Sequence, residues 1–266
     1  MGLYDAMVSS VSGMSGQANA LSNIGQNVAN VGAVGYKRVG TSFESMVSQP
    51  NWSKPAAGGV TMSATTAIAQ QGALQTTASP TDLAVNGDGF FVVSDAAGNG
   101  YLTRSGSFVP DAQGNLVNSN GYYLMAHGAT GPQSGNTLTG LQKVNVGSAA
   151  GAVTIANNGT LSYQQSNGAV ATPYHIPLAT VASPQNLVAS SGNVFSLDAA
   201  SGAPTVAAPG SGGLGTINAG ELEQSTVDVA TELSNMIVAQ YNFQANSQAM
   251  KTSADALKTL VNLRIS

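Results

Sequence analysis

LYDAMVSSVSGMSGQANALSNIGQNV, residues 3–28, is the stretch whose reading decides the fold. Its apolar positions Leu3, Met7, Val11, Met14, Ala18, Leu21, Ile24 and Val28 recur at spacings of three and four, the stripe of an amphipathic helix. A helix from Leu3 to Asn30 is roughly 40 Å long at 1.5 Å per residue, too long to cap a small domain. Between Met1 and Tyr36 the only charged side chain is Asp5. Ser and Asn are poor helix formers, so such a helix takes its order from neighbours.

The other end of the chain carries a matching pattern. Leu233, Met236, Gln240, Phe243, Ser247, Met250, Ala254, Leu257 and Val261 alternate by three and four without a break, which is a coiled-coil-type seam. Ser225 followed by Asp228 predicts a capping-box-like start. Two striped helices with few charges have more apolar surface than they can bury on each other. The pattern therefore predicts self-association through Leu3, Met7, Val11, Met14, Leu21, Ile24 and Val28 on one helix. On the other it predicts Leu233, Met236, Phe243, Met250, Leu257 and Val261.

Between the helices the periodicity changes. Asn-Val-Gly-Ala-Val-Gly at 30–35 supplies two glycines for a left-handed cap and turn. Residues 34–82 read as an extended connector, broken by Pro50, Pro55, Gly58, Gly59 and Pro80. From Asp82 the strand period takes over. Residues 83–85 and 90–93 flank Asn86-Gly87-Asp88-Gly89, a turn signal that predicts a hairpin. Short strands are expected at 101–103, 107–109, 116–117, 122–125, 153–155, 161–163, 175–181 and 194–197, separated by Gly-, Asn- and Asp-bearing turns. The predicted fold class is α+β. Paired terminal helices, residues 1–33 and 224–266, form a coiled-coil-like domain, and residues 83–223 form a β-rich middle domain.

Composition limits the function classes. Charged residues are 8% of the chain, against roughly a quarter in ordinary soluble domains. Surface polarity must therefore come from Ser, Thr, Asn, Gln and Gly, which hydrogen-bond to a neighbour without the cost of burying a charge. A net charge of -4 with eight scattered basic residues gives no phosphate-binding footprint, so nucleic acid is not an expected partner. No apolar run reaches ~18 residues, and no membrane insertion is expected. The N-terminus has neither the basic start nor the apolar core of a cleaved secretory signal. The chain has no cysteine, which excludes disulfides and thiolate metal sites.

Chemistry-bearing motifs are few. His127 and His175 stand in no metal-ligand spacing. Gly87-Asp-Gly89 lacks the third glycine of a dinucleotide fingerprint, since Val92 occupies that place, and strand residues follow where a helix should. Asp82, Asp88 and Asp95 resemble the carboxylates of a glycoside hydrolase only in type. Each precedes or occupies a turn, where aspartate is favoured for local hydrogen bonding alone. Adjacent strand residues point to opposite faces, so one ring of Phe90-Phe91 is expected in the core and the other against a neighbouring surface. Asn158-Gly-Thr160 reads as a hairpin turn rather than a glycosylation site. No catalytic group, cofactor or metal is predicted. A hydrolase or a β-rich surface binding protein remains the rival class.

The blocks that punctuate this pattern resemble those of bacterial flagellar rod and hook proteins. Asn30, Gly35, Tyr36 and Lys37 are similar to the family's Ala-Asn turn followed by Gly-Tyr-Lys. Asn86, Gly87, Gly89, Phe90 and Phe91 lie in a block that looks like the family's entry into its β domain. LTRSGSF at 102–108, DAQGNLV at 111–117, and GLGT at 213–216 through LEQS at 222–225 and ELSNMIVAQ at 232–240 agree in order. The ending AQYNFQAN at 239–246 with TLVNLR at 259–264 is closer to hook proteins. The segment around 128–150 is too short for the outer domain hook proteins usually carry, so hook and rod both stand. The resemblance implies a non-enzymatic subunit exported unfolded by the flagellar type III apparatus and assembled under a cap into a helical tube. Rod, hook-cap and hook–filament junction proteins are its implied partners. The terminal helices would line the tube and the β domain would form an outer layer. A hook subunit would lie outside the cell, a rod subunit in the periplasm.

Overall fold

Helix α1 spans Leu3–Ala29 and helix α2 spans Val229–Ile265 in a computed structural model that describes residues 3–45, 59–128, 135, 138, 140–147, 153–164 and 170–265. With strands β1 (Val39–Ser45) and β2 (Val60–Thr66) they make up one compact unit, formed by Met1–Val31, Arg38–Ala67 and Val227–Ser266. Helix α1 stops where the Asn30 amide N–H meets the carbonyls of Gln26 and Asn27, both at 3.1 Å, and its side-chain amide donates to Gln26 again. Helix α2 begins later than the Ser225 reading predicts. Asp228 is itself the cap, its Oδ1 accepting the Thr231 N–H at 2.7 Å. An ionised carboxylate at the positive end of a helix gains from both the bond and the dipole, and these backbone bonds hold Asp228 below its usual pKa.

The helices run antiparallel in this unit, Gly13 of α1 lying against Asn246 of α2. Strands β1 and β2 pair in register from Val39↔Thr66 to Ser45↔Val60, so part of the stretch read as a connector is a two-stranded ribbon. Pro50, Pro55 and Gly58 lie outside the described residues. Asn27, fully buried, fastens α1 to this ribbon. Its side chain donates to the Val39 carbonyl and accepts the Val39 N–H, each at 2.9 Å, imitating a ladder pair.

The second unit, Gly32–Lys37 and Ile68–Thr226, holds the remaining strands. In chain order they are β3 (Leu74–Thr76), β4 (Leu83–Asn86), β5 (Phe90–Ser94), β6 (Gly100–Thr103), β7 (Val109–Pro110), β8 (Leu116–Val117), β9 (Tyr123–Gly128) and β10 (Gln142–Lys143). There follow β11 (Val153–Ile155), β12 (Thr160–Gln164), β13 (Val170–His175), β14 (Leu178–Thr180), β15 (Val188–Ser190), β16 (Val194–Ser196), β17 (Thr205–Ala207), β18 (Thr216–Ala219) and β19 (Glu221–Glu223). The main antiparallel path is β11-β12-β13-β9-β5-β6-β16-β15, while β4 pairs with β18 and β3 with β19. Ile176 and Pro177 divide the predicted 175–181 strand between β13 and β14. The Asn158-Gly159 turn joins β11 to β12, with Gly159 at φ 81° and the Asn158 side chain accepting the Thr160 N–H.

Strand β5 shows how the unit is filled. Phe91 and Val93 enter one apolar cluster, where Phe91 meets the edge of Phe108 with centroids 6.1 Å apart. Phe90 and Val92 enter a second cluster, where Phe90 meets Phe195 at 6.0 Å. Both rings are therefore core, contrary to the expectation that one would meet a neighbouring surface. A strand buried on both faces reads as a continuous apolar run.

The predicted hairpin at 83–93 does not form. Gly87 and Gly89 do take positive φ, 106° and 125°, but β4 leaves for β18 and β5 pairs with β6, β9 and β14. The Asp88 carbonyl accepts the Gly215 N–H at 2.7 Å, so the turn is held by a strand entry far along the chain rather than by its own flanks.

Candidate functional site

Within the helical unit the buried line of α1 runs through Ser10, Ala20, Ile24 and Asn27, with Gly13 at the α2 contact. Ile24 apart, that line is small or polar, and it lies about one position away from the predicted apolar stripe. Of the stripe, only Ile24 is buried. Leu3, Met7, Met14, Leu21 and Val28 are half-buried, and Val11 is 50% exposed. Helix α2 repeats the offset. Glu232 and Ala239 are buried, Met236, Met250 and Leu257 half-buried, and Leu233, Phe243 and Val261 exposed. Close approach through Gly, Ala and Ser needs no apolar stripe, so much of the apolar surface stays uncovered.

A groove of ≈ 380 Å³ opens between α1, α2 and β1. Arg38 and Glu232 lie in it as an ion pair, the guanidinium Nε on carboxylate Oε1. Glu232 is fully buried, and its Oε2 and the Asn23 side-chain nitrogen have no partner among the described residues.

In the β unit the charges are tied together more completely. The carboxylate of Glu223 takes Lys37 Nζ on Oε1 at 2.5 Å and Arg104 Nη1 on Oε2 at 3.2 Å, with the Gly72 N–H as a third donor at 2.8 Å. All three side chains are buried. Lys37 also donates to the Gln70 carbonyl, and Arg104 Nη2 to the Gly87 carbonyl at 2.8 Å. The Arg104 guanidinium lies 5.1 Å from the centre of the Phe90 ring, a cation–π contact. Burial pulls the pKa of Lys37 and of Arg104 below the usual range, and the Glu223 carboxylate opposes it in both.

Gly35 completes this cluster. At φ 67° it occupies the left-handed region, and a Cβ there would stand 2.6 Å from the Arg104 carbonyl carbon. Its N–H donates to the Glu223 carbonyl at 2.8 Å, and the Tyr36 carbonyl accepts from Thr226. Gly32, the other glycine of the predicted cap, has no positive φ. Of the signature residues, Lys37 binds the Glu223 carboxylate, Gly35 binds the Glu223 backbone carbonyl, and Gly87 and Phe90 hold Arg104 beside it. Glu223 and Arg104 were not singled out from sequence as site residues. The available signal was their position inside blocks of the resemblance, in a chain with few charges to spare.

The structure also brings His127 and His175 opposite each other on β9 and β13. Burial, and secondarily His175, hold His127 below its ordinary pKa. No group of three or more His, Cys, Asp or Glu suited to a metal occurs among the described residues. Asp95 and Asp111 close their own turns onto Asn99 and Asn115. Among the described residues no helix is long and apolar enough to cross a membrane.

Known proteins share this arrangement of segments. Residues 84–163 match the model of the flagellar hook protein FlgE/F/G D1 domain, and residues 218–263 that of the flagellar basal body rod FlgEFG protein C-terminal region. The chain is 30% identical to the flagellar hook protein FlgE of Brucella suis biovar 1 over 395 residues of alignment, spanning 99% of this chain and 100% of that one. FlgE of Rhizobium meliloti is likewise 30% identical, over 405 residues, with the same shares covered. The flagellar basal-body rod protein FlgG of Bacillus subtilis is 33% identical over 273 residues, 97% of this chain and 98% of that one. With both ends and the β middle matched in order, the chain belongs to the flagellar hook and rod protein family, whose members are structural, non-enzymatic axial subunits of the flagellum.

Proposed function

We propose that the protein polymerises into the flagellar hook, a tube that acts as a universal joint and passes torque from rod to filament. The observation that carries this reading is the unfinished helical unit. Its two long helices meet through small and polar residues and leave their apolar stripes, Ile24 apart, half-buried or exposed. Copies of the same chain would cover them along Leu3, Met7, Val11, Met14, Leu21, Ile24 and Val28, and along Leu233, Met236, Phe243, Met250, Leu257 and Val261. In the tube, residues 1–33 and 224–266 form the inner wall, 34–82 the connector and 83–223 the outer layer. Neutral, Ser- and Gln-rich faces suit a channel through which unfolded chains pass without sticking. The subunit leaves the cell unfolded through the type III apparatus and assembles under a cap, between rod and junction proteins.

A second reading, the straight rod, has its own support. The Bacillus subtilis FlgG alignment needs 273 residues for this chain of 266, whereas the Brucella suis FlgE alignment needs 395. Electron microscopy of cells lacking the gene separates the two. Rods that persist without a curved extracellular tube support the hook, and loss of everything beyond the inner rings makes the protein a rod subunit.

A further inference from the structure

His127 and His175 are the only histidines of the chain, far apart in sequence, and the fold sets them side by side. They are directly opposed across the antiparallel strands β9 and β13. Opposed residues share one face of a sheet, with Cβ atoms about 4.5–5.5 Å apart, within reach of a single ion held between two imidazoles. Both residues line one small recess, together with Asn158 and Pro209.

The two rings are prepared differently. His127 is 5% exposed, and its Nε2 has no hydrogen-bond partner among the described residues. A buried ring nitrogen is normally paired, so one left bare points to something that binds there. The recess has no room for a water molecule. A zinc ion needs less, since it sits about 2.0–2.1 Å from an imidazole nitrogen, against about 2.9 Å for a hydrogen-bonded water. His175 is half-buried, and its Nδ1 lies 3.2 Å from the Thr160 hydroxyl oxygen. With Nδ1–H donating to that hydroxyl, the ring is oriented and its Nε2 keeps a free lone pair, the usual support of a metal-bound histidine.

We infer that His127 and His175 bind one divalent ion of the imidazole-preferring class, represented by Zn²⁺, through their Nε2 atoms, with solvent completing the coordination beside half-buried His175. Two neutral nitrogen donors suit zinc or copper and not magnesium or calcium, which take oxygen ligands. The ladder between β9 and β13 is only two residue pairs long, Tyr174↔Gly128 and His175↔His127. An ion across the second pair staples the β11–β12–β13 meander to the main sheet. This site is independent of the axial-subunit reading.

The test is calorimetric titration of ZnCl₂ into the full-length chain without added histidines, kept dilute enough to stay monomeric, with MgCl₂ as the hard-cation control. One Zn²⁺ should bind per chain and raise the melting temperature of the β unit, an effect that EDTA reverses, and Mg²⁺ should do neither. His127→Gln and His175→Gln should each weaken zinc binding at least ~tenfold, the scale on which even supporting residues act at such sites. Melting in EDTA shows whether each variant is folded. A measurement that needs no variant is NMR of the imidazole protons in the unaltered chain, where both rings should shift together and saturate at one equivalent. No zinc uptake, one ion per two chains, a shift of one ring alone, or a folded variant that binds as tightly as the unaltered chain would each overturn the site.

Discussion

The two units of this chain treat the same kinds of residue in opposite ways. In the β unit apolar side chains fill two clusters, one on each face of β5, and a buried carboxylate has donors on both oxygens. In the helical unit the buried apolar residues of the described helices are Ala20, Ile24 and Ala239, and the buried Glu232 is paired on one oxygen. Leu and Val are left in water there, while Ser, Gly and Asn occupy the contact. The difference teaches that one unit buries its apolar side chains within its own chain, whereas the other keeps most of them half-buried or exposed.

The hardest test of the self-sufficient side is Glu223→Ala. It strands Lys37 and Arg104 in the interior, and a broken buried ion pair typically costs about 3–5 kcal/mol. Urea denaturation of the β unit should show a loss of that size, and a loss under ~1 kcal/mol would mean that the cluster is not what closes it. On the other side, Leu257→Asp should abolish motility and polymer while leaving the β-unit melting temperature unchanged. A buried leucine truncated to alanine costs about 2–5 kcal/mol, and in the polymer proposed above that loss would recur in every subunit. Normal swimming would remove Leu257 from the seam.

Limited proteolysis compares the units directly. Residues 1–30 and 226–266 should be trimmed from the monomer to a resistant core near 34–220, and protected in the filament, because helices this rich in Ser and Asn are marginal alone. Equal protection in both states would show that the helical unit needs no copies.

The smallest effect is in the pH response of the β unit. His127 is held neutral in the fold below its ordinary 6.5, so the unfolded chain binds the extra proton first. Stability is therefore fully present above about pH 6.5 and falls below it, by at most about 1.4 kcal/mol per pH unit. His127→Gln should flatten thermal melts between pH 7.5 and 5. Asp95 and Asp111, lowered from 3.8 by Asn99 and Asn115, lose their contribution only in a separate and more acid window.

Local signals were legible in the sequence. The three-and-four spacing located α1 and α2, because helical period and capping are properties of consecutive residues. Positive φ at Gly87, Gly89 and Gly159 was likewise readable from turn chemistry. What stayed hidden is separated along the chain. Glu223 meets residues 186 and 119 positions away, and β4 pairs with a strand that begins at Thr216. The contact of α1 within its own chain was hidden for another reason: it uses Ser10, Gly13 and Ala20, small residues outside the apolar three-and-four pattern.

Asn27 has a mechanical consequence. A single hydrogen bond between a helix and a strand is a swivel, free to rotate about its own line. Two bonds from one planar amide to both polar groups of Val39 fix angle as well as distance. Rotation of α1 about its axis must carry the β1–β2 ribbon with it. Replacing Asn27 by serine leaves one short arm and turns a keyed joint into a bearing. In a shaft that works by turning, slip between inner helix and ribbon would begin at that residue.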